Sequence, residues 1–240
     1  MAWADTWGMK FNVEKCKVLH IGRNNPSHSY KINNIEIATT EAEKDIGVWI
    51  TKDMKPSTQC REAYRVANAM LNQITRAFHF RDRFTFLRLY KTYVRVHLEF
   101  STPVWSPWLK GDIDLLEKVQ ERAVKMISGL QGTTYEDKLK ELKLMSLTDR
   151  RTRFDQIQIY KIVKGINKVS SETWFEPDIP RNTRGSHLLN LKVKFRNSDT
   201  AKNFFSVRAA KKWNSLPGHL KDSPTLTCFK SRYDKYVGQN

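Results

Sequence analysis

Residues 57–78, STQCREAYRVANAMLNQITRAF, place Cys60, Tyr64, Ala67, Leu71, Ile74 and Phe78 at steps of four and three. That spacing lays one apolar stripe along a helix that begins near Ser57. The stretch divides the chain. Signals of strands and tight turns stand before it, and helical periodicity follows it.

Toward the N-terminus, KCKVLHIG (15–22) alternates Cys16, Val18 and His20 against Lys17, Leu19 and Ile21, and a polar turn, RNNPSHS, follows. In YKINNIEIA (30–38), Asn33 and Asn34 sit between two short apolar runs, the pattern of a tight hairpin. DIGVWI (45–50) reads as a further strand with a glycine inside it, where a backbone often approaches a neighbour or a ligand. Together these segments predict a small antiparallel sheet within residues 1–55.

Toward the C-terminus, FTFLRLYKTYVRVHLEF (84–100) is apolar nearly all round, which predicts a helix buried between neighbours. After the Trp-Pro corner TPVWSPWLKG, Asp112 is a good N-cap and Gly129 a good stop for a helix of about four turns. Thr134 in TYED starts another with a capping box, and LTDRR (147–151) opens one running to Gly165. Residues 167–190, rich in Ser, Asn, Pro and Arg, read as a linker. Leu191–Asn240 holds 11 Lys and Arg against three Asp, yet carries Phe204, Phe205, Val207, Trp213, Leu216 and Phe229, enough for one or two docking helices. The predicted class is α+β, mainly α: a small sheet (1–55), a helical bundle (56–166), then a linker and basic C-terminal extension (167–240).

The chain has 240 residues, long enough for a substantial core, and 42 Lys and Arg stand against 25 Asp and Glu. A net charge of +17 and a pI near 9.8 point to a polyanionic partner. No run approaches the roughly 18 apolar residues of a membrane span. MAWADTWGMK has neither the basic nor the apolar part of a signal peptide, which leads to the expectation of an intracellular protein. Cys16, Cys60 and Cys228 are odd in number and widely spaced, as reduced thiols are.

Self-contained catalytic constellations are not evident. The sequence has no adjacent Asp-Asp pair for two-metal chemistry, and Asp112 with Asp114 is better explained by a helix start. Cys16 and His20 share a strand face, but two ligands do not make a zinc site. His79 and His97, at helix ends among aromatics, read as cap or core residues, and no metal ligand set is assigned. The basic residues are more informative. Lys118, Arg122 and Lys125 fall on one helix face opposite Leu115, Leu116, Val119, Ala123 and Ile127; Arg150, Arg153, Lys161 and Lys164 share a side of the next long helix. Too few acids stand among them in sequence to pair them off, which favours phosphate contacts over a merely solvated face.

Five blocks, WADTWGMKFNVEKCKVLHIGRNNP (3–26), EKDIGVWI (43–50), LRLYKTYVRVHLEFSTPVWSPWLKGDIDLLEKVQERAVKMISGL (87–130), LKLMSLTDRRTRFDQIQIYKI (142–162) and FSVRAAKKWNSLP (205–217), resemble in order the C-terminal part of a LINE-type, jockey-like non-LTR retrotransposon reverse transcriptase. The resemblance implies that residues 1–55 are the edge of the polymerase palm, 56–166 its thumb, and the remainder a post-thumb extension. It also implies that the chain starts after the catalytic hairpin, without the Asp pair that holds two Mg²⁺ in the family. Such a chain is expected to bind an RNA- and DNA-containing template–primer duplex, in cytoplasm and nucleus, and not to polymerise.

By the same resemblance, Lys15 matches the lysine of the post-catalytic motif, with Asn12 in the same block. Read from the residues alone, Lys15 is a strand-edge lysine that discourages edge pairing. Ile46, Gly47, Val48 and Trp49 match the primer-grip hairpin; the alternative is a hairpin packing on the thumb, and the two are compatible. Lone Cys228 departs from the Cys-His knuckle that ends some members. Two further readings remain open: a non-enzymatic nucleic-acid-binding module, and an inert relic exposing Val18, Ile46 and Val48.

Overall fold

A computed structural model describes residues 2–22, 24–79, 82–178 and 187–238. Part of the expected linker, residues 179–186, lies outside them. The chain divides into two compact units, Met1–Gln59 and Cys60–Asn240.

The first unit opens with α1 (Ala2–Thr6) and a single 3₁₀ turn, Val13–Lys15. Six short strands follow: β1 (Val18–Leu19), β2 (Lys31–Ile32), β3 (Ile35–Glu36), β4 (Thr39–Thr40), β5 (Ala42–Asp45) and β6 (Val48–Thr51). They form three separate two-stranded pairs rather than one sheet, and β1 pairs with β4 in parallel, so the expected antiparallel sheet is corrected. The alternation of 15–22 yields only two strand residues because Asn12 caps the 3₁₀ turn, its side chain accepting from the Lys15 N–H at 3.3 Å. Asn33 and Asn34 do form a hairpin turn between β2 and β3, both at positive φ (51° and 65°). Asn tolerates that region better than most residues.

The second unit is helical. Its first helix, α2 (Ser57–Ala77), buries Cys60, Ala67, Leu71 and Ile74 of the predicted stripe, with Tyr64 half-buried, whereas Phe78 falls just past the helix end and is exposed. Next come α3 (Arg83–Leu89), a π-helical turn at Tyr90–Val94, and α4 (Arg95–Glu99). This run is one-sided, not buried all round: Phe86, Tyr90, Val94 and Leu98 are inside, while Phe84, Tyr93, Val96 and Phe100 face solvent. A step of four leads an α-helical face by about 40° each time. The wider π turn absorbs that drift and keeps the row inward.

After α5 (Thr102–Trp105) comes α6 (Lys110–Lys125), whose N-cap is Leu109; Asp112 sits inside the first turn, complementing the helix dipole instead of capping. Gly129, at φ 85°, lies beyond its end. In α7 (Tyr135–Glu141), Thr134 accepts from the Asp137 N–H at 3.2 Å. Ser146 does the same for Asp149 at the start of α8 (Leu147–Val163), at 3.0 Å. The Thr134 cap follows the sequence reading, and the Ser146 cap stands just before the helix start expected at LTDRR.

The buried helix of this unit is α8, which packs against α4, α5 and α6 and buries Leu147, Ile157, Ile159, Tyr160 and Ile162. Past α9 (Ser171–Trp174), Pro177 bridges Leu191 in antiparallel fashion. The C-terminal segment supplies α10 (Asp199–Lys202), α11 (Phe205–Asn214), α12 (Gly218–Lys221) and α13 (Leu226–Gly238). Here α11 and α13 close on α8 around Tyr160, Trp213, Phe229 and Tyr233, with Tyr160 and Phe229 stacked at 4.5 Å. The segment docks as expected, as part of one core. Among the described residues, no helix is long and apolar enough to cross a membrane.

Candidate nucleic-acid interface

Apolar residues at the helical period fix how α6 is turned. Leu116, Val119, Ala123 and Val124 are buried, which leaves Lys118, Arg122 and Lys125 exposed on the other side. Arg122 is held in place by two residues of α2, donating from Nη1 to Asn68 Oδ1 at 2.6 Å and from Nη2 to Asn72 Oδ1 at 2.7 Å. Both acceptors are neutral, so the guanidinium is oriented without being neutralised. Lys125 is 3.9 Å from Glu121 in an exposed pair worth little. Lys118 has no carboxylate partner among the described residues.

The second expected basic face divides. Arg150 grips Glu99 with two nitrogens, Nη2 to Oε2 at 2.9 Å, and Arg95 approaches the same carboxylate at 3.5 Å. Arg153 pairs with Asp234 of α13 at 2.5 and 2.8 Å. These two arginines are structural ties, contrary to the sequence reading, because their acids lie 51 and 81 residues away in the chain. Lys161 is half-buried and Lys164 exposed, neither with a carboxylate partner among the described residues. Near Glu99, burial and the charges of Arg95 and Arg150 pull the Lys91 ammonium below its usual range.

In the first unit, β5 and β6 pair Asp45 with Val48 and Lys44 with Trp49, so Ile46 and Gly47 form a two-residue hairpin tip. The glycine is therefore in the turn, not inside a strand. Both tip residues have positive φ (44° and 86°), as a type I′ turn requires. Gly47 accepts this freely; Ile46, β-branched, is strained there, and it is 88% exposed. Val48 is buried and the Trp49 N–H donates to Gln59 Oε1 at 3.0 Å, so half of the four-residue block points outward and half is held in the protein. Burial of Val48 corrects its expected exposure.

Lys15 is exposed on the 3₁₀ turn, so it is not a strand-edge lysine. The Cys16 thiol donates to its neighbour Asn12 O at 3.3 Å, and His20 stands 6.3 Å from the Tyr30 ring. His97 is half-buried in α4 and His79 exposed beyond α2. The sequence reading missed Asn68 and Asn72. Their spacing of four on the polar side of α2 was the available signal. Comparison with protein-family profiles, curated proteins and solved structures found no match to this chain.

Proposed function

We propose that this chain binds an RNA- and DNA-containing template–primer duplex as the palm-edge, thumb and C-terminal part of a non-LTR retrotransposon reverse transcriptase, and does not itself polymerise. One observation carries the binding: Arg122 is fixed by Asn68 and Asn72, exposed, and left with its full charge, flanked by Lys118 and Lys125. A cation oriented by neutral partners costs little further ordering when a phosphate arrives, and backbone contacts of this kind read duplex shape rather than sequence. The strained, exposed Ile46 tip supports the primer-grip assignment independently, because strain kept where the side chain packs on little suggests an external contact. Synthesis in the resembled family depends on an Asp pair with two Mg²⁺, and this sequence has no adjacent Asp-Asp pair.

Binding to an RNA–DNA duplex, measured by fluorescence anisotropy across salt concentrations, tests the reading. Affinity should fall steeply with salt. Replacing Lys118, Arg122 and Lys125 together with Ala should flatten the log–log slope by roughly 0.9 per lost phosphate contact, about two to three in all. A slope unchanged by the triple substitution refutes the interface, and a flat response in the unaltered chain leaves the relic reading. Primer extension with Mg²⁺ and deoxynucleotides should show no incorporation.

A further inference from the structure

A half-open pocket of about 330 Å³ lies in the second unit, lined by α8, α11 and α13 among others. Two of its lining side chains are buried with polar atoms unmet. Arg151 is 3% exposed; its Nη2 donates to Thr148 Oγ1 at 2.9 Å, and its Nη1 has no hydrogen-bond partner. Gln156 is fully buried; its Nε2 donates to Ala209 O at 3.3 Å, and its Oε1 accepts nothing.

The carboxylates near Arg151 direct their hydrogen bonds elsewhere: Glu117 accepts from the Leu147 N–H, Glu99 from Arg150, and Asp155 from Arg208 with two bonds of 2.9 and 3.0 Å. Asp149, also on the pocket wall, is engaged with Ser146 at 2.7 Å. Lys212, exposed on the same wall, has no carboxylate partner among the described residues. The charges of Glu117, Glu99 and Asp155 favour the Arg151 guanidinium from a distance, but none of these carboxylates bonds to its free Nη1, and a buried donor left without a partner is costly. The volume far exceeds that of one water and falls at the lower end of small-ligand sites.

We propose that this pocket is a binding site for a single phosphate-class oxyanion, with Arg151 and Lys212 donating to its oxygens and Gln156 Oε1 accepting from its hydroxyl. Monohydrogen phosphate offers both functions, acceptor oxygens and one O–H. The anion can be free or, as a monoester in the singly charged form that keeps one O–H, can terminate a nucleic-acid strand, and the site does not depend on the interface proposed on α6.

Calorimetry with inorganic phosphate on the full chain, at about 0.15 M salt to screen the protein's general positive charge, tests the site. One equivalent should bind. Arg151→Met should weaken binding at least tenfold and Lys212→Ala about threefold, with Lys168→Ala, a remote exposed lysine, as unchanged control. Acylation of Lys212, followed by mass spectrometry, should slow in the presence of phosphate, which keeps the site testable if Arg151→Met fails to fold. A parallel titration compares a 5′-phosphorylated hexanucleotide with its 5′-hydroxyl form. Preference for the phosphorylated strand assigns the anion to a strand end; binding of inorganic phosphate alone assigns it to the free ion. If neither phosphate nor the phosphorylated strand binds stoichiometrically, or if folded Arg151→Met and Lys212→Ala bind like the unaltered chain, the proposal is overturned.

Discussion

Cys60 shows at the scale of one residue what burial does to chemistry. It is fully inside the second unit, and burial, reinforced by the charge of Asp112, pushes its thiol from an ordinary value near 9.0 up to about 12. The folded state thus favours the neutral thiol. Its contribution to stability is complete below pH 9 and is lost as pH rises from 9 toward 12, because only the unfolded chain releases the proton readily. Denaturant titrations should show stability falling in that window by up to ~1.4 kcal/mol per pH unit from this group, and Cys60→Ala should remove that part of the slope. Cys16 and Cys228, half-buried, should react with a thiol reagent in the native protein while Cys60 reacts only on unfolding. The burial of Cys60 was legible from its place on an apolar stripe. The fates of Arg150 and Arg153 were not, since an arginine on a helix looks the same in sequence whether it faces water or a carboxylate from a distant segment.

Among the elements, the helix caps at Thr134 and Ser146, the Asn33–Asn34 turn and the faces of α2 and α6 carried over from sequence, while the faces expected for 84–100 and α8 did not. Thr134 and Ser146 cap the helices their sequences announce, and the Asn33–Asn34 turn forms where two residues separate apolar runs. The errors have one cause, the equating of apolar with inside and charged with outside. By that rule the run 84–100 was expected to be buried and α8 to present a basic face, whereas the first keeps four large apolar side chains in solvent and the second hides Arg151 and Asp155. The β5–β6 tip gives an element-scale test. Replacing Ile46 with Gly relieves an αL conformation that costs a β-branched residue on the order of 1–2 kcal/mol, so the midpoint of chemical denaturation of the first unit should rise. If the tip grips a primer, the same variant should bind duplex more weakly while being more stable, a divergence that a purely structural hairpin would not show.

For the whole molecule, the mainly helical class was readable from the change of period at Ser57, but the single core of the second unit was not. Tyr160, Trp213, Phe229 and Tyr233 lie on three helices spread over 74 residues, and periodicity within a segment says nothing about which distant segment answers it. Deleting residues 226–238 should therefore do more than shorten a basic tail. It removes Phe229 and Tyr233 from the α8 core and Asp234 from Arg153, and native near-ultraviolet circular dichroism of residues 60–225 should be lost. The same arrangement has a consequence for synthesis. On a ribosome that delivers about 5–20 residues per second, α8 emerges with one side of its apolar surface uncovered and waits several seconds for α11 and α13. The second unit can close only once α13 has followed as well, so until then the apolar side of α8 that Trp213, Phe229 and Tyr233 later cover stands open to solvent.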